Sequence, residues 1–380
     1  MAHGLALLMI GAIGCGGALV NRCEAAMVLD DQTVDCLIQL FNDSDHVVVR
    51  SAIGNYETTM AHDSHFQMHW NNEQVTVPGI KAPPGSSEAV DAITTASRPI
   101  SGGDAYSDYV KTRNELQGGV THGPAELQYY LSTEPDYLAQ QVTANWNGDV
   151  RDDQTNLSLG TSYGWDSIDP AVDDDTRQGH AMKKTWHGNA VATRILTPGT
   201  ILRFGLELNL VEGLQHNPYR NVYAGGTNVP ERHPDHRSRR DLFLKLNQAL
   251  PNRSSLKFSY RFYNDDWGID SHELGATLSQ YVTHGLFASW DYRWYTQTAA
   301  DFWRAEYLSV TGVDGYLTGD YRMARLASHL FGVTLDADLA AFDVRTPVLG
   351  SMGVKGSWER YFNSNNYSAN FVTAQVTYRF

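Results

Sequence analysis

Apolar and polar residues alternate in successive stretches of the chain from about residue 108 to its end. In one stretch Leu202, Phe204 and Leu206 fall on one face, and Arg203 and Glu207 fall on the other. Because neighbouring side chains of a β-strand point to opposite sides, each stretch predicts a strand with one apolar and one polar face. The stretches are about 9–11 residues long, which suits strands that cross a bilayer at a tilt.

The connections between these stretches distinguish a closed barrel from a soluble sandwich, whose strands also alternate. Tight turns occur at 197–199, 251–253 and 283–285, and long loops occur at 211–240 and 297–326. The two kinds of connection mostly alternate along the chain. In a closed antiparallel barrel every second connection lies on the same rim, so short and long connections separate. The sequence therefore predicts an all-β fold: a transmembrane antiparallel up-and-down β-barrel of about 16 strands, with 14 as the alternative.

The predicted strands share this alternation, and the strand at 64–76 is weak because of its histidine and asparagine content. They are 46–56, 64–76, 84–95, 108–122, 125–132, 137–147, 155–165, 184–196, 200–210, 241–250, 255–263, 272–282, 286–296, 327–337, 352–361 and 370–380. An even number of strands places both chain ends on one rim, which we assign to the periplasm.

The N-terminus has the features of an export signal. Residues 5–20 are apolar, and the small residues Ala25 and Ala26 follow them. We predict a signal peptide over 1–26, with lipid attachment at Cys15 as an alternative. Residues 27–83 are then an N-terminal segment with periplasmic residues and the first, divergent strands, and 84–380 form the barrel.

The composition excludes several classes of protein. The net charge is −14, whereas nucleic-acid binding needs a basic surface, so no nucleic-acid partner is expected. We find no cysteine metal motif, phosphate-binding loop or dinucleotide fingerprint, and predict no cofactor, no metal site and no catalytic residues. The nearest nucleophile and base, Ser271 and His272, are adjacent on a strand and point to opposite faces, so enzyme activity is not expected.

The end of the chain carries a further signal. Phe380 is the last residue, and Val376 and Tyr378 precede it at alternate positions. This pattern resembles the terminal strand that the assembly machinery of bacterial outer-membrane barrels recognises. We therefore expect the protein in the outer membrane of a Gram-negative bacterium, surrounded by lipid and lipopolysaccharide, with Tyr378 and Phe380 contacting that machinery.

Three motifs carry a resemblance to a known family: Asn-Pro-Tyr-Arg at 217–220, Asp-Trp-Gly-Ile-Asp at 266–270, and Tyr-Arg-Trp-Tyr-Thr-Gln-Thr-Ala-Ala-Asp-Phe at 292–302. The chain resembles, over roughly residues 85–380, a bacterial outer-membrane family catalogued as a domain of unknown function. The resemblance implies an exported β-barrel. It implies no activity or catalytic residues, and residues 57–83 depart from the family pattern.

Charged residues on the polar faces are the candidates for the barrel interior, because a charge facing lipid costs about 2–4 kcal/mol at the midplane. The predicted lumen-lining residues are Arg203, Glu207, Lys245, Lys257, Arg261, Glu273, Asp291 and Arg293. They line a polar pore in one interpretation. In the other they form a lattice of ion pairs that fills a narrow lumen.

The long loop at 211–240 contains a cluster of basic residues. The predicted binding residues of this mouth loop are Arg220, Arg232, His233, His236, Arg237 and Arg239. They can bind an anionic ligand, the phosphates of lipopolysaccharide, or acidic loop residues such as those at 173–175. A loop folded inward over the mouth would constrict the pore.

Two functions remain open from the sequence. The first is a pore or ligand-specific channel with a mixed-charge lumen and long extracellular loops. The alternative is a plugged barrel that acts as a scaffold or partner of an envelope secretion or electron-transfer assembly. No residue pattern favours a particular protein partner.

Overall fold

Sixteen antiparallel strands form a closed barrel, in which the first strand pairs with the last. This computed structural model describes residues 29–60, 64–77, 109–150, 154–170, 179–342 and 351–379. The predicted fold class and strand number are confirmed. Across those residues, no helix is long and apolar enough to cross a membrane.

The strands are numbered in chain order, and β10 and β11 form a separate hairpin outside the barrel. They are β1 (Leu29–Asp43), β2 (Val48–Met60), β3 (Ser64–Val77), β4 (Tyr109–His122), β5 (Ala125–Glu134), β6 (Tyr137–Asp149), β7 (Thr155–Ile168), β8 (Ala181–Thr197), β9 (Thr200–Gly213), β10 (Asn221–Ala224), β11 (Thr227–Pro230), β12 (His236–Leu250), β13 (Ser254–Asp265), β14 (Asp270–Thr283), β15 (Leu286–Gln297), β16 (Leu326–Asp338), β17 (Met352–Asn363) and β18 (Ser368–Arg379).

Each barrel strand pairs with its neighbours in chain order, so the chain runs up and down around the ring. The start of β1 and the end of β18 lie at one rim, here called the terminal rim, together with the short turns at 198–199, 251–253 and 284–285. The opposite rim, here called the loop rim, carries the long connections 214–235 and 298–325. Both of these long connections thus lie on one rim, as predicted, although the short connections 135–136, 266–269 and 364–367 also lie at the loop rim.

The first strand was not predicted. In β1, Ile38 and Leu40 point outward, but Leu37 and Phe41 are apolar on the inward face, so the alternation is blurred. The barrel therefore begins at residue 29 and not at 84. The predicted strand 84–95, the signal peptide 1–26, the acidic residues 173–175 and Phe380 lie outside the described residues.

The outer surface is apolar through its middle. Leu206 points outward with 48% of its surface exposed, and Ile38 and Trp358 behave in the same way. Charged residues of the described strands that point outward lie within about five residues of a strand end: Arg50, Lys184, Arg194, Glu212, Arg240, Asp270 and Arg360. A hydrocarbon layer thus meets no charge at mid-height, as a membrane barrel requires.

The inward face is packed by side chains of different size. Phe243 lies opposite Gly205 on the neighbouring strand, and both face the interior. A Cβ atom on Gly205 would lie 2.3 Å from the Phe243 ring, so this position requires glycine. The aromatic ring occupies the space that the missing side chain leaves.

Candidate functional site

The strand register places all eight predicted lumen residues on the inward face. Residues paired across adjacent strands point to the same side, and Arg203 pairs with Lys245 while Arg261 pairs with Glu273. The inward residues are Arg203, Glu207, Lys245, Lys257, Arg261, Glu273, Asp291 and Arg293. All eight side chains therefore share one face of the barrel wall, the face toward the lumen.

Several of these inward side chains are exposed to solvent inside the barrel. Arg203, Lys245, Lys257, Arg261 and Arg293 all point inward, and all are exposed. An exposed side chain that points into a closed barrel has room for water around it. Barrels of 16 strands are wide enough for an aqueous channel. The lumen therefore has space for water around these cations, of which Arg203 and Lys257 lie near the terminal rim and Arg261 and Arg293 lie further inside.

Part of the predicted ion-pair lattice is present. Arg261 Nε lies 2.6 Å from Asp241 Oδ1, and its Nη2 lies 3.6 Å from Glu207 Oε2. Arg293 Nη1 lies 3.8 Å from Glu273 Oε2. No ion pair involves Arg203, Lys245 or Lys257 within the described residues, so these cations act as free charges in the lumen.

The two sides of the lumen carry opposite charge. The inward charges of β1–β7 are mostly carboxylates: Asp35, Asp43, Glu57, Glu73, Glu115, Glu126, Glu134, Asp149 and Asp166, with Lys111 and Arg113 between them. The inward cations of β8–β15 are Lys183, Arg203, Arg237, Arg239, Lys245, Lys257, Arg261 and Arg293. The same strands also carry the inward carboxylates Glu207, Asp241, Asp265, Glu273 and Asp291, so this side has a smaller net charge, of positive sign.

Ring order places these two walls opposite each other. Strands eight places apart in the ring of sixteen face each other across the lumen, so β1 faces β9, β2 faces β12 and β3 faces β13. Most of the mainly acidic first wall therefore lies across from the second wall, on which cations outnumber carboxylates. A field across the lumen follows from this difference in net charge between the two sides.

The long loops at the loop rim fold together into one compact unit. Residues 214–235 and 298–325, here called the mouth cap, pack through the buried side chains of Val222, Ala224, Tyr307 and Leu317. The backbones of Arg232 and Leu317 exchange hydrogen bonds of 3.0 and 2.9 Å. The cap is a packed element, because each loop supplies half of its small apolar core.

A second apolar cluster anchors the cap to the barrel wall. Trp267 and Ile269, in the turn between β13 and β14, pack against Ala300 and Phe302 of the cap. Trp267 is only 4% exposed, and its Nε1 donates to the His236 carbonyl at 2.9 Å. The turn therefore folds inward, and Trp267 does not face the surrounding membrane.

A buried ion pair explains why that turn folds inward. The Asp265 carboxylate accepts hydrogen bonds from the amides of Trp267 and Ile269, both at 3.0 Å. Its second oxygen receives Arg237 Nε at 2.9 Å, and the guanidinium lies 4.1 Å from the centre of the Trp267 ring. The desolvation cost of burying the two charges is offset by their mutual pairing and by these hydrogen bonds.

A second buried carboxylate holds the cap together from within. Glu231 accepts hydrogen bonds from Thr318 Oγ1 at 2.8 Å and from the Gly319 amide at 2.7 Å. Burial raises the pKa of Glu231, although the Arg220 guanidinium at 3.4 Å opposes the rise. Burial also disfavours the charged form of Asp320, but Arg322 and Arg220 outweigh burial and lower its pKa.

The predicted mouth-loop residues divide between the cap and the wall. Arg220, Arg232 and His233 lie in the cap, whereas His236, Arg237 and Arg239 belong to strand β12. The prediction of one loop over 211–240 is therefore wrong, because β9 continues to Gly213 and β12 begins at His236. The outward residues at the start of β12, Ser238 and Arg240, are polar, and this hid the strand pattern.

The partners of these basic residues are close to them in the fold. His236 Nε2 lies 3.3 Å from Asp266 Oδ2, and Arg232 Nη2 donates to the Val310 carbonyl at 2.6 Å. The first contact follows from the pairing of β12 with β13, and the second from the packing of the two cap segments against each other.

Two neighbouring cavities lie beneath the mouth cap and share part of their lining. The first, here called the mouth cavity, has a volume of about 450 Å³ and lies between the cap and the barrel wall. The second has about 330 Å³ and is lined by the lumen residues Asp241, Arg261 and Glu273. Arg237, Arg322 and Met323 line both, so these side chains separate the two spaces.

Acidification is expected to loosen the mouth cap. Burial, then the neighbouring His216, lowers the pKa of His233 to about 4. In the unfolded chain the pKa of histidine is about 6.5. Below that pH the unfolded segment binds a proton that the folded cap excludes, so stability falls by up to about 3 kcal/mol as the pH drops toward 4.

Limited proteolysis of the cap across this pH range, compared with His233→Phe, measures the effect. Burial also lowers the pKa of His216, which acts in the same direction. The raised pKa of Glu231 acts in the opposite direction, because protonation on acidification favours the folded form. The variant isolates the contribution of His233, and an equal pH dependence in both proteins would contradict it.

Ser271 and His272, the nearest nucleophile and base in the sequence, do not face each other. Ser271 points inward, whereas His272 points outward, where its Nδ1 lies 2.9 Å from the Tyr260 hydroxyl. Among the described residues, no group of three or more histidine, cysteine, aspartate or glutamate side chains is arranged to hold a metal ion.

Comparisons with solved structures find distant likeness to outer-membrane proteins. OprD from Pseudomonas aeruginosa has a TM-score of 0.47 and 11% identity, over 96% of this chain and 98% of that chain. A loop deletion mutant of OmpT, an outer membrane protein of Vibrio cholerae, has a TM-score of 0.42 and 10% identity, over 93% and 100%. OccAB4 from Acinetobacter baumannii has a TM-score of 0.41 and 8% identity, over 94% and 100%. At these values the likeness carries no argument about function.

No curated protein matches the chain. A family model described as "Protein of unknown function (DUF3570)" matches residues 5–370. Because this match spans nearly the whole sequence, the chain belongs to the DUF3570 family of proteins of unknown function, as the motifs at 217–220, 266–270 and 292–302 indicated.

Proposed function

We propose that the protein is an outer-membrane channel for small polar solutes, with a mouth cap that makes entry selective. The observation that carries this proposal is the exposure of inward cations, Arg203, Lys245 and Lys257 among them, within a closed barrel. The two neighbouring cavities beneath the cap lie between the loop rim and the inward residues Asp241, Arg261 and Glu273, and they support a route for solutes at this end of the barrel. Charged lumen walls are the usual means by which such pores select solutes.

The outer surface supports the location. Apolar side chains cover the middle of the barrel and charges are confined to its ends, so a bilayer can surround it without burying a charge. The terminal rim faces the periplasm in this proposal, and the mouth cap faces the outside. Tyr378 points outward on the last described strand, where the assembly machinery would contact it.

The second candidate is a plugged barrel that serves a protein partner of the cell envelope. The mouth cap favours it in one respect, because Leu308 is 94% exposed at its surface, with Val310 and Tyr223 also exposed. An apolar side chain held in water is characteristic of protein contact sites. A partner co-purified in fixed stoichiometry, together with absent conductance, would favour this function.

Conductance in planar bilayers tests the channel. The purified barrel is expected to produce single-channel events. Replacing residues 304–317 with a short glycine-serine linker is expected to increase the unit conductance about twofold or more, because it removes part of the packed cap at the mouth. Detergent alone is the control. A folded barrel without any conductance would contradict the channel proposal.

A further inference from the structure

The mouth cavity concentrates polar groups whose hydrogen-bonding capacity is not used by the protein. Buried polar atoms are normally hydrogen-bonded. In the described part of the chain, five residues lining this cavity nevertheless carry buried atoms without a partner: Asn209 Oδ1, Gln215 Oε1, Asn217 Nδ2, Arg239 Nε and both ring nitrogens of His233.

His233 is the most deeply buried of these groups. Its side chain is 2% exposed, and its ring packs against Trp267 and Phe302, with centroids at 5.4 and 5.6 Å. The Nε2 atom lies 3.8 Å from Glu231 Oε2, which is beyond hydrogen-bond length. The backbone of Gln215 is near enough to influence its charge, but neither ring nitrogen makes a hydrogen bond of ordinary geometry.

The charged side chains that line the cavity are mainly cations. They are Lys183, Arg220, Arg237, Arg239 and Arg322, with Asp320 as the carboxylate among the lining residues. Other carboxylates lie behind this lining: Asp265 pairs with Arg237, Glu231 with Arg220, and Asp166 with Lys183 at 2.9 Å. The cavity surface is therefore more positive than the structure around it.

Arg239 differs from the other arginines. It projects from the inward face of β12 into the cavity and forms no ion pair with any described residue. An arginine held in place by packing, with an unused donor, is suited to an oxyanion, because its planar guanidinium matches carboxylate and phosphate geometry. The neighbouring amides and the neutral imidazole of His233 supply both donors and acceptors.

We propose that the mouth cavity is a binding site for a small organic anion, whose carboxylate or phosphate binds Arg239 and whose hydroxyl or amine groups bind His233, Gln215 and Asn217. A volume of about 450 Å³ is within the range of small-molecule sites. This inference rests on the proposed channel for its physiological meaning, since the site lies at the entrance. Arg237 and Arg322 would receive the anion next, because they line both cavities.

Isothermal titration calorimetry of the full-length folded barrel in detergent tests the site. Succinate and glycerol phosphate are the two oxyanion probes, and 1,4-butanediol is the neutral counterpart of succinate. We expect at least one anion to bind, the diol not to bind, and Arg239→Gln to weaken the affinity about tenfold or more. The stronger of the two probes identifies the carboxylate or the phosphate class.

Two further variants make the test independent of folding defects. His233→Phe keeps the aromatic packing and removes both ring nitrogens, and it is expected to weaken binding severalfold. Arg203→Gln removes an inward cation that does not line the mouth cavity, and it should change the affinity less than about twofold. Binding of neither anion, or unchanged affinity in both Arg239→Gln and His233→Phe, would overturn the proposal.

The proposed anion site and the proposed channel can be disproved independently of each other. Calorimetry in detergent does not depend on ion flow, so anion binding without conductance removes the channel proposal and leaves the site. Conductance without anion binding removes the site and leaves the channel.

Discussion

Replacing Asp265 with alanine is expected to detach the mouth cap from the barrel wall and to destabilise that region by about 3–5 kcal/mol. The substitution leaves Arg237 buried without its carboxylate and removes the acceptor of the Trp267 and Ile269 amides. The turn that presses Trp267 against Phe302 then loses its support. Faster proteolysis of residues 298–325 and a larger, noisier conductance would report the change.

The adjacent residue supplies a matched control. The Asp265 side chain is 0% exposed, whereas that of Asp266 is 35% exposed and pairs with His236 at 3.3 Å. A partly exposed pair of this kind contributes about 0–1 kcal/mol, so Asp266→Ala should leave the cap closed. If both alanine variants behaved alike, the effect would be due to loss of acidity in the turn and not to the buried pair.

Reversing three charges on the basic wall is expected to change ion selectivity strongly. In the triple variant Arg203→Glu, Lys245→Glu and Lys257→Glu, the free cations of the lumen become carboxylates that face the acidic wall. The permeability ratio of potassium to chloride should increase about tenfold, because both walls then attract cations. The reversal potential in a salt gradient across a planar bilayer measures this ratio.

The opposite wall supplies the control for that experiment. Glu57 is exposed and faces inward from β2, which lies across the ring from β12. Glu57→Lys should shift the reversal potential in the opposite direction and by less, since one charge changes and not three. A triple variant that keeps the selectivity of the parent protein would show that ions do not pass along this wall.

Most of the barrel could be predicted from the sequence, because each strand has one face toward lipid and one face toward the lumen. In β9, Leu202, Phe204 and Leu206 point outward, whereas Arg203 and Glu207 point into the lumen. The alternation of apolar and polar residues along the strand follows from this difference in environment. The pattern fails where the inward face is also apolar, as at Leu37 and Phe41 of β1. It fails again at the start of β12, where the strand rises beyond the apolar belt and its outward residues are polar.

The residues of the candidate site could be predicted from the sequence only in part. The eight lumen residues were identified because a single strand reveals its own polar face. The mouth cavity was not, because Gln215, Asn217 and Arg322 have no pattern of their own and become neighbours of Arg239 only when two loops fold onto the wall. The sequence predicted a long loop at 211–240 with a basic cluster, but it did not determine whether that loop folds inward over the mouth.

The sequence by itself determined that this chain forms a barrel with a polar interior, because alternation is a local property that each strand carries independently of the others. Only the tertiary structure decided which charges face each other and which charges are neutralised. Closure of the ring places β2 opposite β12, and the folding of the cap buries Asp265 and Glu231 against arginines. Electrostatic interactions act between residues distant in sequence, and their strength depends on separation and burial, which no pattern along the chain encodes.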